Sequence, residues 1–512
     1  MASDRNYIPL HDLDPIPGSG TAETSHKDIQ HDYPDAPPSY DDVLRQSFSL
    51  DNDDFNLREA NTNSNTNNHN MDASETQSNL DVESFISTLA GKSGMKGAFF
   101  NMANSILGAG VIGQAYAFKN TGVATGLIVL VILTFLIDWT IRLIVINSKL
   151  AGVKSYQDTV SKCFGTKGKI FISLVQGLFA YGGSMAFCVI IGDTIPHVLR
   201  SLFKDQIKNS EFLSFLLSRN TLIVILTMGI SYPLSLHRDI SKLSKASGLA
   251  LIGMLVIVGI VLFRSPFVPS EYKGTISVSN WIVSSGVFQG ISVISFALVC
   301  HHNTSFIYNS MRDQSLDKFT KLTHIACFVS MIVCGIAGVS GYIYYGNKTK
   351  GNILNNFPSD DWVANIARFC FGMNMLTTFP LEIFVVREII KDLILLYKNS
   401  VDSTNNSEST EELSPRYHFL ITTFLCASTM SVSLFTCNLG AILELVGATS
   451  ACIMAYILPP LCFLKLTTER TKFEKYCAYG CAMFGAIVMV ISSSQTIYGM
   501  INDTSTGDHC VA

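Results

Sequence analysis

The chain has 512 residues and a formal net charge of −4 at pH 7. Its residues are 48% hydrophobic and 15% charged, and its mean hydropathy is +0.32. These values exclude a soluble globular protein of this length, and no nucleic-acid partner is expected. They predict an all-α polytopic membrane protein, because apolar runs recur at about the ~20 residues that a helix needs to cross a bilayer.

Residues 1–94 form a separate acidic region. They hold 17 Asp and Glu against 5 Lys and Arg, and they contain too few large apolar residues to bury a core. We therefore predict a disordered cytosolic tail. Within it, Pro37, Pro38 and Tyr40 form a PPxY string. Adjacent prolines pre-set an extended conformation that docks in aromatic grooves, so the string resembles a ligand of the WW domains of ubiquitin ligases. The alternative is a solvated linker.

Eleven apolar runs follow, and they predict a transmembrane domain at 95–501 ahead of a short non-cytosolic tail at 502–512. The runs lie near 96–118, 122–147, 170–196, 220–236, 247–264, 280–307, 322–345, 363–397, 418–437, 439–464 and 475–501. Most of the thirteen cysteines fall inside these runs, where cysteine behaves as a small hydrophobic residue. The sequence therefore predicts no disulfide framework.

The first run contains a glycine cluster. Gly108, Gly110 and Gly113 lie within six residues of one another, and each glycine costs a helix interior about 1 kcal/mol relative to alanine. Inside lipid, non-helical backbone persists only where protein or a water-filled cavity surrounds it. The cluster therefore predicts an interrupted helix at a transporter binding site. The alternative is close helix packing through small residues.

The sixth run repeats this pattern. It holds Gly286 and Gly290 and a polar string from Ser292 to Thr304, and at about thirty residues it exceeds the ~20 of a single crossing. Four other runs separate the first run from the sixth, so each opens one half of a five-plus-five arrangement. Interruptions at matching positions of two halves are typical of an inverted repeat. We predict broken helices 1 and 6, with the substrate site between them.

Charged residues inside apolar runs are costly and point to function. Asp138 and Arg142 are four residues apart, which places them on one helix face and favours mutual neutralisation. Arg387 lies near a predicted cytosolic helix end and is expected to extend its charge to the interface. Glu382 and Glu444 each offer a carrier for a coupling proton; the alternative for each is a neutral or hydrogen-bonded structural glutamate.

Loop charges predict the orientation. With a cytosolic amino terminus, the inner loops hold 19 Lys and Arg and the outer loops hold 9, as the positive-inside rule requires. The carboxyl terminus then lies in a lumen or outside the cell. Asn347 and Asn502 open Asn-x-Thr sequons on that side, where glycosylation is expected to be available.

Four strings identify a resemblance: 100–113 (FNMANSILGAGVIG), 115–122 (AYAFKNTG), 295–303 (SFALVCHHN) and 377–380 (TTFP). They resemble the amino acid/auxin permease family, and within it the fungal vacuolar amino acid transporters and the animal sodium-coupled neutral amino acid transporters. The resemblance implies eleven helices in a LeuT-type fold that carries amino acids with sodium ions or protons and needs no other cofactor. It also implies cation binding by Asn104 and Thr378.

Together with the interrupted runs, the resemblance implies a secondary active amino acid transporter in the vacuolar membrane, for neutral substrates and driven by protons, with sodium as the other candidate ion. The substrate carboxylate would meet backbone N–H groups, and its ammonium would meet carbonyls freed near the sixth run. A sensor that signals through its tail without flux is the alternative, and no enzyme motif is present. The predicted substrate contacts are Leu107, Gly108, Ala109, Gly110 and Val111 in the first run, and Ser292, Ser295 and Phe296 in the sixth.

Overall fold

The computed structural model describes residues 94–237, 247–401, 414–468 and 471–502. The predicted tail with Pro37, Pro38 and Tyr40, the segment 503–512 and Cys510 lie outside these residues. The described chain is helical, and no β-strand occurs among its described residues.

We number the α-helices α1 to α17 in chain order. They are Met95–Ile106, Gln114–Thr121, Val123–Ala151, Tyr156–Leu202, Lys204–Asn209, Glu211–Leu216, Arg219–Leu226, Tyr232–Ser235, Ser247–Arg264, Val287–Leu298, His301–Ser310, Leu316–Tyr345, Trp362–Val401, Pro415–Phe435, Leu439–Val446, Leu458–Leu466 and Lys472–Asn502. Short 3₁₀ and π-helical segments join several of them.

Eight helical stretches of the described chain are long and apolar enough to cross a membrane. They are Val123–Ala151, Tyr156–Leu202, Val287–Ser310, Leu316–Lys348, Trp362–Tyr397, Pro415–Phe435, Leu439–Leu466 and Lys472–Asn502. The other three predicted runs correspond to α1 with α2, to α7 with α8, and to α9, which are shorter or interrupted.

Hydroxyl side chains inside these helices bond to their own backbone. Thr134 donates to the Leu130 carbonyl at 2.7 Å, and Ser340 donates to the Ile336 carbonyl. Such bonds satisfy a polar group where no water is present, so serine and threonine occur within apolar helices at little cost.

The helices pack around the two interrupted ones. α4 lies along α13, α12 packs against α1, α2 and α3, and α10 packs against α2 and α15. The loops 265–286 and 346–361 lie on one side, which we call the loop face. The Asn347 N–H joins the two loops by donating to the Thr275 carbonyl at 3.0 Å, and Arg264, the last residue of α9, pairs with Asp361 of the second loop at 2.7 Å.

Three sequence-based expectations about single residues have clear outcomes. The Asp138–Arg142 pair is confirmed at 3.0 Å, and His324 of α12 adds a 2.8 Å contact to the same carboxylate. The expectation for Arg387 is wrong. Its side chain is 1% exposed and donates to the Ser235 carbonyl and the Thr422 hydroxyl, because oxygen acceptors inside the bundle satisfy the guanidinium. Cys437 is disulfide-bonded, which the sequence pattern did not predict.

Candidate substrate and ion site

The first helix is interrupted at the predicted glycines. α1 ends at Ile106, a 3₁₀ segment spans Ala109–Gly113, and α2 begins at Gln114. None of the hydrogen bonds in the described chain is donated by the backbone N–H groups of Gly108, Ala109 or Gly110. Consecutive unpaired N–H groups form a concave site for an anion. This stretch therefore offers the donors that a substrate carboxylate needs.

The neighbouring glycines meet different surroundings. A Cβ atom on Gly110 would lie 2.4 Å from the Ala297 Cα atom of α10, so this glycine permits close contact between the two interrupted helices. A Cβ atom on Gly108 would have only the Asn104 carbonyl oxygen nearby, at 3.9 Å. Packing thus explains Gly110, whereas Gly108 borders open space. Leu107 and Val111 are buried on either side.

The second interruption lies between α10 and α11. Val299 is extended, with φ −77° and ψ 114°, and α11 begins at His301. The last carbonyls of α10 therefore have no donors from a following helical turn. Phe296 belongs to this last turn, so its carbonyl is well placed for a substrate ammonium.

Ser292 and Ser295 precede the interruption and are fully buried. The Ser292 hydroxyl lies 2.6 Å from the Ser492 hydroxyl of α17, and the Ser295 hydroxyl lies 3.0 Å from the Tyr456 hydroxyl. Both side chains thus connect α10 to neighbouring helical segments within the bundle.

The two predicted cation ligands lie on α1 and α13. Asn104 is half-buried. Thr378 donates to the Asn374 carbonyl at 2.8 Å, and no hydrogen bond joins it to Asn104. Pro380 follows within the helix, and a proline removes the donor for the carbonyl four residues earlier. That carbonyl, on Leu376, accepts from the Ser231 hydroxyl at 2.9 Å.

Glu444 of α15 lies at the centre of a hydrogen-bond network. Its carboxylate accepts from Asn120 Nδ2 at 3.0 Å, Gln289 Nε2 at 3.2 Å and the Thr496 hydroxyl at 2.9 Å. These donors lie on α2, α10 and α17. Side-chain amide nitrogens only donate, so the environment matches an ionised carboxylate that joins four helices.

Glu382 of α13 has the opposite environment. Its Oε2 atom is buried without a hydrogen-bond partner, and none of the described residues bonds to the carboxyl group. Its Cδ atom lies 3.9 Å from the Cβ position of Gly183 on α4. Since an unpaired charge is costly in such a place, Glu382 suits a reversible proton carrier better than Glu444 does.

Sequence reasoning missed a buried ion pair near the loop face. Asp193 of α4 and Arg219 of α7 lie 3.5 Å apart, with side chains 2% and 5% exposed. Asn355 donates to Asp193 at 3.0 Å, and Arg219 donates to the Ser433 carbonyl at 3.0 Å. The available signal was Asp193, a charge within an apolar run.

The two predicted glycosylation residues are both exposed. Asn347 lies on the 346–361 loop, and Asn502 is the last residue of α17. The Asn347 Oδ1 atom accepts from the Thr275 N–H at 3.1 Å.

The chain is similar in sequence to known proteins that are named as amino acid transporters. The chain is 50% identical over 421 residues to vacuolar amino acid transporter 2 of Saccharomyces cerevisiae, covering 82% of this chain and 86% of the relative. It is 34% identical over 403 residues to a provisionally named sodium-coupled neutral amino acid transporter 11 of Danio rerio, covering 78% and 86%.

The fold is similar to that of a solved manganese transporter variant of Eremococcus coleocola. The TM-score is 0.50 at 13% identity, over 82% of this chain and 93% of the other. At this identity the likeness concerns the fold alone. Residues 91–498 match the family described as transmembrane amino acid transporter protein. The chain therefore belongs to the transmembrane amino acid transporter protein family.

Proposed function

We propose that the chain is a proton-coupled secondary active transporter that moves neutral amino acids across the vacuolar membrane. The observation that carries this proposal is the pairing of two interrupted helices: the unpaired N–H groups at Gly108 to Gly110 lie next to the last turn of α10, where a Cβ atom on Gly110 would be 2.4 Å from the Ala297 Cα atom. The two charged groups of an amino acid need donors and acceptors in this arrangement. The name of the yeast relative supports the substrate and the membrane.

The architecture that we propose is an eleven-helix, five-plus-five inverted repeat of the LeuT type. α1 with α2 forms the first helix of one half, and α10 with α11 forms the first helix of the other. Both are interrupted near their middle, which supports corresponding positions in two halves. The transmembrane domain is assigned to 95–501, flanked by a cytosolic tail at 1–94 and a lumenal tail at 502–512.

Proton coupling through Glu382 is preferred to sodium coupling. Sodium requires several oxygen ligands, and no hydrogen bond among the described residues brings the Thr378 hydroxyl to Asn104. The Glu382 carboxyl group has no hydrogen-bond partner among the described residues, so no hydrogen bond gives it a structural role. An acidic vacuolar lumen would supply the gradient.

The tail and the lumenal side provide further assignments. The string at Pro37, Pro38 and Tyr40 is proposed to bind a WW-domain ubiquitin ligase. Asn347 and Asn502 are proposed to be glycosylation acceptors, which requires the loop face to be lumenal. Trypsin digestion of sealed vacuoles tests this orientation: the tail should be cleaved, and a tag placed after residue 512 should be protected.

Flux and binding measurements test the function itself. Purified protein in liposomes should accumulate radiolabelled neutral amino acids when a pH gradient is imposed, and unlabelled substrate should compete. Binding of amino acid without any flux would contradict transport and favour the sensor.

A further inference from the structure

His302 is a half-buried titratable residue that the transport site does not yet explain. It lies at the start of α11, directly after the second interruption, and its Nδ1 atom is buried without a partner. None of the described residues hydrogen-bonds to its ring. The adjacent His301 also has a buried Nδ1 atom without a partner, but its Nε2 atom shares a 2.9 Å bond with Thr140 of α3. A buried polar atom without a partner costs about 1–3 kcal/mol, so the orphaned nitrogen needs a reason.

His302 and Glu382 contact the same stretch of α4. The His302 ring lies 5.0 Å from the Phe179 ring, measured between centroids. Gly183, four residues further along α4, has its Cβ position 3.9 Å from the Cγ and Cδ atoms of Glu382. Four residues advance a helix by about 6 Å. Two titratable side chains that have no hydrogen-bond partner among the described residues, one from α11 and one from α13, therefore meet α4 one helical turn apart.

Phe296 places this pair at the substrate site. Its ring lies 5.5 Å from the Phe179 ring, and it belongs to the last turn of α10. The same aromatic side chain of α4 therefore contacts both sides of the second interruption.

We propose that His302 and Glu382 form a proton-transfer pair at the substrate site. The proposal rests on the proton coupling proposed above. The Glu382 carboxyl O–H bond breaks, and the proton binds an imidazole nitrogen of His302, directly or through one water. This step leaves a carboxylate and an imidazolium. The pair stays neutral overall, which limits the cost of charge separation inside the membrane. The imidazolium then releases its proton to water on the opposite side of the membrane.

Three nearby titratable groups have partners elsewhere in the described chain. Asp138 binds Arg142 and His324, Tyr456 bonds to Ser295, and Asp193 binds Arg219. His301 is adjacent to His302 in the first turn of α11. The titratable and charged groups on the segments that pack around α11 and α13 include Lys96, Asp138, Arg142, Lys149, Tyr181, Asp193, Tyr232, His301, Arg387, His418 and Tyr456.

The test compares three variants in proteoliposomes: His302→Gln, Glu382→Gln and the double variant. Glutamine keeps a polar side chain but cannot titrate near neutral pH. Each single variant should lower pH-driven uptake by at least about tenfold, since a positioned acid or base typically contributes ~10²-fold or more. Exchange of labelled for unlabelled substrate without a gradient should persist. The double variant should be no slower than the slower single variant, because the two residues act in one step.

His324→Gln is the matched control, because His324 is a half-exposed histidine paired with Asp138, and its pH-driven uptake should match wild type. Substrate-dependent thermal stabilisation reports that each variant folds and binds, and His302→Asn replaces His302→Gln if the latter does not fold.

Full pH-driven uptake by the His302 variant would overturn the proposed pair. Loss of both substrate exchange and gradient-driven uptake would also overturn it, because that result would assign His302 to substrate binding. Wild-type protein without any pH-driven uptake would instead contradict the proposed function.

Discussion

Gly108 and Gly110 are two residues apart and serve different purposes in the structure. A methyl group at Gly110 would collide with Ala297, whereas at Gly108 it would enter open space beside unpaired N–H groups. Gly110→Ala should therefore lower stability by about 1–3 kcal/mol through overpacking. Gly108→Ala should leave thermal stability unchanged and raise KM by about tenfold, the equivalent of losing ~1.4 kcal/mol of binding.

Thermal denaturation and uptake kinetics on the two purified variants check this prediction. Unchanged KM in Gly108→Ala would mean that the substrate carboxylate does not approach this backbone. Equal stability of both variants would mean that the close contact with Ala297 relaxes without cost.

The two intramembrane glutamates predict different outcomes for the same substitution. Glu444→Gln replaces an acceptor oxygen by a donor among Asn120, Gln289 and Thr496, so unfavourable contacts should lower stability by about 1–3 kcal/mol. Glu382→Gln removes no observed hydrogen bond among the described residues. It should leave stability within about 0.5 kcal/mol while uncoupling flux from a pH gradient. Denaturation midpoints and gradient-driven uptake, measured on both variants, distinguish the two glutamates. If Glu382→Gln keeps pH-driven uptake and Glu444→Gln loses it, the proton carrier is Glu444 and not Glu382.

At the scale of elements, the Asp193–Arg219 pair connects α4 with α7, and its partners reach the 346–361 loop and the end of α14. Removing one member of a buried pair leaves an uncompensated charge and costs about 3–5 kcal/mol. Asp193→Asn should therefore lower the thermal midpoint markedly. Asp313→Asn is the control, because it breaks a pair with Lys318 whose side chains are 57% and 53% exposed, and such pairs contribute under ~1 kcal/mol. Equal midpoints for the two variants would contradict the role of the buried pair.

The sequence predicted the elements better than their contacts. Apolar runs and glycine positions predicted the interruption at 107–113 and the break in the sixth run, because backbone constraints are local. The break in the sixth run, however, lies at Val299, past Ser292 and Ser295. The four-helix network of Glu444 and the burial of Arg387 depend on residues more than thirty positions away in sequence, and periodicity carries no information on such pairs. The sequence alone could not distinguish His302 from His301, because only the structure shows that His301 bonds to Thr140.

At the scale of the whole molecule, the acidic tail and the transmembrane domain are predicted to act independently. The tail carries the PPxY string, and the proposed transport site lies within residues 95–502. Tyr40→Ala should therefore slow substrate-induced ubiquitination and turnover while leaving uptake per molecule unchanged. Ubiquitin blots and a turnover chase in cells check this, with Tyr33→Ala as a control at a tyrosine outside the string. Unchanged turnover in Tyr40→Ala would show that the PPxY string does not recruit a ubiquitin ligase.

We propose that a proton gradient drives amino acid accumulation through the paired interrupted helices. Liposomes that contain the wild-type protein should be supplied with neutral amino acids on one side of the membrane. Amino acid accumulation should then be measured under an imposed pH gradient and, separately, under an imposed sodium gradient at equal pH. We expect accumulation above equilibrium with the pH gradient and none with sodium alone. Accumulation that follows sodium and ignores pH would contradict the claim and transfer the coupling site to Asn104 and Thr378.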